Sequence, residues 1–204
     1  MQPRFLPLSL LACTLALGAC QRTDTAPAKP LKPAAATVPA SAPKSAVRAD
    51  DNLNAVLWMQ ASVEYRASTI TIYRAAADRL DRALKEKHWD ALVSDERGNA
   101  ATGLAPAVIM DVDETVLDNS PYQARLIRDG KEFDEVSWDA WVAEKKAKPV
   151  PGVVDFAKAA AAKGVTILYL SNRAEHLQEA TLANLRAAGL PVKDDSVFLG
   201  LGTV

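Results

Sequence analysis

Within the stretch AVIMDVDETVLDNSPY, residues 107–122, Asp111 and Asp113 stand two apart and are followed closely by Glu114, Thr115, Asp118 and Asn119. Two carboxylates held together repel, and the proton affinity of at least one rises unless a cation intervenes. A divalent ion with hard oxygen ligands would resolve the repulsion, and Mg²⁺ suits a mixture of carboxylate, carbonyl, water and phosphate. With such an ion in place, one carboxylate can attack phosphorus while the other exchanges protons with the leaving group and the incoming water. A second polar group closes a later apolar run, GVTILYLSNR, which ends in Ser171, Asn172 and Arg173. A lone DxD is a weak signal. DxDET at the end of one apolar strand, with a serine at the end of the next, is a much stronger one.

The elements that must hold these residues are visible in the periodicity. PAVIMD and GVTILYLSNR are short continuous apolar runs rich in branched residues, a pattern that suits central parallel strands covered by helices on each side. PGVVDFAKAAAAKG reads as the helix feeding the second strand, with Pro151 near its start and Gly164 as its stop. AEHLQEATLANLRAAGLP reads as the helix leaving it, and SVFLGL as a third strand. Alternating strands and helices define an α/β chain. In open parallel sheets the ligand site lies beyond the carboxyl ends of the strands, which is where Asp111 and Ser171 fall. Alternation along extended backbone lets Asp111 and Asp113 project towards one side.

Upstream, Val56, Val63, Ala67, Ile70, Tyr73, Ala77, Leu80 and Leu84 recur at steps of three, four or seven. This is the face of one long amphipathic helix or of two stacked ones, with Asp51 or Asn52 as N-cap. Trp58 and Tyr65 read as packing residues, and His88 as a surface or capping residue. Between the first two strands, DEVSWDAWVAEKK puts Trp138, Trp141 and Val142 on one helical face, a core-like stripe by default. Asp118 and Asn119 read first as turn and cap residues, since NSP favours a helix start at Pro121. Glu114 reads as turned outward or bonded locally. Arg173 either steers an anionic substrate or pairs at the surface.

The 204 residues carry a formal net charge of −1, so there is no basic bulk for holding a nucleic-acid polymer by its phosphates. A small-molecule partner is the better expectation. Residues 1–19 read as an export leader, with Arg4 preceding an apolar run too short to span a membrane comfortably and interrupted by Pro7. LGAC then resembles a bacterial lipobox, which implies lipidation of Cys20, anchoring in the cell envelope and, with Gln21 next, the outer membrane. The plain alternative is an ordinary cleaved leader. Residues 20–50, rich in Ala and Pro, have too little apolar surface to offset ordering and read as a disordered tether. The expected globular part spans 51–204: a helical part at 51–100, an α/β core at 104–114 and 150–204, and a small cap-like insert at 115–149.

DVDETVLDNSPY resembles the first motif of haloacid dehalogenase-like phosphatases, and is similar in particular to that of the class C acid phosphatases, bacterial lipoproteins that include outer-membrane 5'-nucleotidases. WMQASVEY, SWDAWV and LYLSNR resemble the same family. The resemblance implies a Rossmann-like parallel sheet with a small helical cap, and a phosphate monoester, such as a 5'-nucleotide, hydrolysed through an aspartyl-phosphate. Asp111 would be the nucleophile and a ligand of Mg²⁺, and Asp113 the general acid and base with its backbone carbonyl on the metal. Ser171 would bond the phosphoryl oxygens, with Asn172 aligning the loop. Tyr122 and either Trp138 or Trp141 could form a slot for an aromatic leaving group, each stacked base contributing ~1–3 kcal/mol.

The family scaffold also needs a later Lys and a final Asp. After Ser171 the sequence offers only Lys193, Asp194 and Asp195, in a turn before the third strand. The expectation is therefore a sheet cut short after that strand. Two consequences compete: a fragment of a Mg²⁺-dependent phosphomonoesterase, or a non-catalytic binding or structural envelope lipoprotein lacking most of the stabilisation that phosphoryl transfer depends on.

Overall fold

The computed structural model describes residues 49–86, 89–98 and 103–202. The leader, Cys20, nearly all of the tether, and His88 lie outside the described residues. The helical start is two helices, α1 (Leu53–Ala61) and α2 (Val63–Ala83). The apolar period runs through both, yet the backbone breaks at Ser62, which is extended (φ −81°, ψ 139°) and whose hydroxyl caps α2 by accepting from the Tyr65 N–H at 3.0 Å. A serine N-cap stabilises a new helix start by about 1 kcal/mol, enough to favour a corner over a straight rod.

The sheet has three parallel strands, β1 (Ala107–Asp111), β4 (Thr166–Ala174) and β5 (Phe198–Leu201), in the order β1-β4-β5. In the β1–β4 pairing Asp111 lies opposite Leu170, so the two strands end within a few residues of one another. Between β1 and β4 run β2 (Leu117–Asp118), α3 (Ser120–Asp129), α4 (Glu135–Glu144), β3 (Lys148–Pro149) and α5 (Val153–Ala162). The two-residue strands β2 and β3 pair antiparallel, Leu117 with Pro149 and Asp118 with Lys148, and close the base of the α3–α4 excursion. α6 (Gln178–Ala187) joins β4 to β5.

The helices obey their punctuation. α5 begins after Gly152, whose φ of +94° only glycine adopts without strain. A Cβ there would also stand 3.1 Å from the Ile70 Cα and 3.3 Å from the Tyr73 Cβ, so the glycine is where α2 lies down on α5. α4 starts at Asp134, whose carboxylate accepts from the Ser137 N–H at 2.9 Å. α3 stops at Gly130 in the left-handed conformation.

The core gathers on one face of the sheet. Met110, Val112, Ile167, Tyr169 and Phe198 are buried with Val153, Phe156 and Ala157 of α5 and Leu182 and Leu185 of α6. Burying each large aliphatic side chain contributes about 1.5–3 kcal/mol. The expectation that helices cover the sheet on both sides is not met among the described residues: Ile109 is 64% exposed, Leu170 49% and Leu201 66%. The reason is topological. Two successive right-handed crossovers that move the same way across a sheet put both their helices on one face, so α5 and α6 share a side, and among the described residues no helix of a crossover covers the other.

Candidate functional site

The chain turns sharply after β1. The Val116 and Leu117 N–H groups both donate to the Val112 carbonyl, at 2.9 and 2.8 Å, and the Glu114 N–H donates to the Leu117 carbonyl at 2.8 Å. The tightness forces Glu114 to a φ of 58°, a left-handed conformation that costs a non-glycine residue about 1–2 kcal/mol. Strain of that kind persists where the surroundings over-determine the backbone. Here they do: the Tyr73 hydroxyl of α2 donates to the Thr115 carbonyl at 2.6 Å, and the Glu114 carboxylate accepts from the Asn119 N–H at 2.9 Å.

The two aspartates end in different surroundings. Asp111 is exposed at the carboxyl end of β1, and its Oδ2 accepts from the Thr115 hydroxyl at 2.9 Å. Asp113 is gripped. Arg173 Nη2 donates to its Oδ1 at 2.7 Å, and Nε lies 3.1 and 3.2 Å from the two carboxylate oxygens. Asn119 Nδ2 donates to Oδ1 at 2.8 Å and the Ser171 hydroxyl to Oδ2 at 3.2 Å. The Arg173 side chain is 2% exposed and that of Asp113 20%, so this is a largely desolvated pair.

Arg173 therefore neither pairs at the surface nor reaches out to a substrate, which corrects both expectations for it. It lies on the covered face of β4 with Ile167, Tyr169 and Ser171, because side chains alternate along the strand. Its Nη1 donates to Thr181 Oγ1 at 3.0 Å, and its guanidinium stacks 5.2 Å from the Trp138 ring. A cation on an indole face is attracted by the ring quadrupole. Ser171, expected on the phosphoryl oxygens, spends its hydroxyl on Asp113 and accepts from the Arg173 N–H at 3.1 Å. Asn172 projects the other way and is exposed.

Asn119 departs from its expected role as a cap. Its backbone occupies the N-cap of α3, but its side chain makes no capping bond and turns into the site. Asp118 takes the cap-like part, accepting from the Ser120 N–H at 2.8 Å. Glu114 is bonded locally, as expected. Partial burial pushes its carboxyl pKa upward, helped by the charges of Asp113 and Asp118 and opposed by the Asn119 N–H. Burial also raises Tyr73 to about 12, with Tyr65 and Asp111 adding to the effect.

The aromatic residues of α3 and α4 form a cluster. Tyr122 and Trp141 are each 2% exposed, and Tyr122 lies edge-on to Trp138 at 5.3 Å and to Phe133 at 6.3 Å. Tyr122 and Trp141 are core residues, so neither offers a free ring face for a stacking partner. What reaches solvent is Phe133, 54% exposed, beside half-buried Trp138 at 6.1 Å. Neither Phe133 nor Thr181 belongs to a motif, and no signal in the sequence marks them. Tyr73 shows only as one member of a helical stripe.

A cation here would draw only part of its shell from the described residues, the rest coming from water and phosphate. Among the described residues no group of three or more His, Cys, Asp or Glu could hold a metal, and the Asp113 carboxylate is committed to Arg173 and Asn119. Asp111 and the Asp113 carbonyl do not make a complete set of hard oxygen donors on their own.

A parallel sheet with an aspartate pair at and just after the end of its first strand, a serine and an arginine at the end of the next, and a small helical excursion between them is an HAD-type architecture. The family described as HAD superfamily, subfamily IIIB (Acid phosphatase) matches residues 28–202, and the chain belongs to it. Among solved structures it is similar to the class C acid phosphatase from Bacillus anthracis, at 36% identity and a TM-score of 0.64, over 74% of this chain and 58% of that one. The same enzyme with tungstate bound matches at 35% and 0.63 over the same shares. Acid phosphatase 1 of Solanum lycopersicum is 31% identical over 103 residues, which is 48% of this chain and 40% of the relative. The stem 31 kDa glycoprotein of Glycine max is 33% identical over 81 residues, 40% of this chain and 32% of the relative. The chain thus spans 58% of the length of the Bacillus anthracis enzyme and 40% and 32% of the two plant relatives, less than two thirds of each.

Proposed function

We propose that the chain carries the nucleophile and acid–base residues of a phosphomonoesterase that works through an aspartyl-phosphate. The observation that carries this reading is the division of labour between neighbouring aspartates. Asp111 is exposed, and its Oδ2 is turned towards Thr115, which leaves Oδ1 to attack phosphorus. Asp113 is oriented from three sides. In the first step the Asp111 oxygen–phosphorus bond forms, the bond to the ester oxygen breaks, and Asp113 gives that oxygen a proton. In the second, Asp113 takes a proton from water, the water oxygen attacks phosphorus, and phosphate leaves Asp111. A positioned acid or base of this kind contributes roughly 10²–10⁴-fold.

The family resemblance adds a divalent cation, Mg²⁺ in this reading, on Asp111 and the Asp113 carbonyl; when bound it would offset charge on the phosphoryl oxygens. The substrate class is a small phosphate monoester, and Phe133 beside Trp138 favours one with an aromatic group, such as a 5'-nucleotide. LGAC supports a lipid anchor on Cys20 that holds the chain in the bacterial envelope, at the outer membrane. No helix among the described residues is long and apolar enough to cross a membrane. A second reading, phosphate binding without turnover in an envelope lipoprotein, is favoured by one observation: the Asp113 carboxylate is already committed to Arg173 and Asn119.

The test is hydrolysis of p-nitrophenyl phosphate and 5'-AMP by the full chain, with Mg²⁺ and with EDTA, beside Asp111→Asn. Metal-dependent turnover that falls at least about 10³-fold in the variant, on the scale of losing a covalent nucleophile, supports the phosphatase reading. No turnover from a folded sample leaves the binding reading. Turnover that survives the substitution removes Asp111 from the nucleophile's place.

A further inference from the structure

Asn119 is 1% exposed, and every polar group it owns is used. Its N–H donates to Glu114 and its carbonyl accepts from the Tyr122 and Gln123 N–H groups. Its side-chain amide does something different from the caps and turns around it. Nδ2 donates to Asp113 Oδ1 at 2.8 Å, while Oδ1 accepts from the Trp141 indole N–H at 2.9 Å and lies 3.4 Å from Arg173 Nη2. One planar amide thus joins a carboxylate at the end of the sheet to an indole on α4, twenty-two residues away in sequence.

We propose that Asn119 is a positioning residue, which orients the Asp113 carboxylate and makes that orientation depend on how α4 is seated. The catalytic part of the claim rests on the acid–base reading of Asp113; the mechanical part does not. Arg173 alone grips the two oxygens unequally: Nη2 and Nε both bond Oδ1, at 2.7 and 3.1 Å, whereas Oδ2 has only a 3.2 Å share of the same Nε–H. The Asn119 amide, on Oδ1 from another element, and the Ser171 hydroxyl, on Oδ2, add a separate donor to each oxygen, so that three side chains rather than one hold the carboxylate. An amide free to rotate would not serve. The Trp141 N–H supplies the constraint, since an indole only donates and so determines which end of the amide faces which partner. α4 is itself tied down by Arg125 of α3, which reaches Glu144 with Nη2 to Oε2 at 2.9 Å and stacks 5.0 Å from the Trp141 ring. Any motion of α4 therefore reaches Asp113 through two hydrogen bonds.

The experiment reads the coupling directly. Full-chain protein labelled with ¹⁵N at the tryptophan indoles gives one signal for each of its four tryptophans, and Trp141→Phe identifies the relevant one. Asp113→Asn is expected to move the Trp141 signal and speed its proton exchange while Trp58 and Trp89 stay in place, and Asn119→Ala to abolish that response. A Trp141 signal blind to Asp113→Asn, or a response that persists in Asn119→Ala, overturns the proposal whether or not the chain turns substrate over. The kinetic counterpart uses p-nitrophenyl phosphate. Asn119→Ala is expected to lower kcat roughly 10- to 100-fold and to displace its pH profile with KM nearly constant, the scale for losing a group that orients a reacting side chain. Trp141→Phe, which keeps most of the packed ring and loses only the donor, should shift both in the same direction by about 3- to 10-fold. Unchanged kcat and pH profile in Trp141→Phe overturns the proposal even if Asn119→Ala fails to fold. A wild type with the indole coupling and no turnover refutes the phosphatase reading and leaves the positioning role standing.

Discussion

Replacing Asp113 by alanine strands a guanidinium. The Arg173 side chain is 2% exposed, and without the carboxylate it keeps only the Thr181 hydroxyl at 3.0 Å, the Asn119 oxygen at 3.4 Å and the face of Trp138. None of these carries a full negative charge. Breaking a buried ion pair by removing one member costs about 3–5 kcal/mol, most of it the penalty of the charge left behind. Asp111→Ala is the matched control, two residues away, since that carboxylate is exposed and bonds Thr115; surface changes of this kind stay within about 0.5 kcal/mol. Urea unfolding of the full chain followed by circular dichroism separates the two. With a slope of about 2 kcal/mol per molar, the Asp113→Ala midpoint falls by roughly 2 M and that of Asp111→Ala hardly moves. The double variant Asp113→Ala with Arg173→Met removes the stranded charge and should recover at least half of the loss, because apolar replacement of a whole buried pair is often neutral. Equal destabilisation by the two single variants, or a double variant no better than Asp113→Ala, would show that Arg173 is not held as a buried cation by Asp113.

Two other perturbations test how the site is supported. Tyr73→Phe deletes the 2.6 Å bond to the Thr115 carbonyl and is expected to cost about 1 kcal/mol at pH 7. Since Tyr73 is raised to about 12, its contribution is complete below the unfolded phenol's ordinary value of about 10 and is lost as pH rises towards 12. The gap in melting temperature between wild type and variant should therefore close over that alkaline window; a gap constant to pH 12 contradicts the assignment. Glu144 behaves oppositely: hydrogen bonds from Arg125 and then Lys146 hold its carboxyl down to about 2. Its contribution is present above the ordinary carboxylate range and is lost as pH falls from about 5 to 2, so the difference between wild type and Glu144→Gln should shrink over that acid window. Melts at pH 7, 5 and 3 check it, and a difference that grows on acidification refutes the pairing.

Much of this molecule was legible because the relevant signals are local. Five or six consecutive apolar residues ending in a carboxylate or a serine announce strands β1 and β4, whatever lies around them. Pro151 and Gly164 punctuate α5, and the chain's belonging to an acid phosphatase family follows from motifs that need no partner to be seen. The period of the helical start was equally plain, and only the Ser62 corner chose between one helix and two. The reading of Trp138, Trp141 and Val142 as a core stripe likewise needed only helical spacing.

What the linear order left open is what depends on which surfaces meet. Alternation put Arg173 on one face of β4, but whether that face is covered follows from the direction and hand of the two crossovers, which also leave Ile109, Leu170 and Leu201 at the surface. Asn119 stands where a cap should, and its amide was free to cap until Asp113 and Trp141, from the sheet and from α4, came within hydrogen-bonding distance on either side of it. Charge pairing, burial and proton affinity are sums over neighbours that the fold brings together. The sequence by itself determined the residues able to do phosphate chemistry and the strand ends that carry them; the tertiary structure alone decided that of two similar aspartates Asp111 faces solvent and Asp113 is clamped.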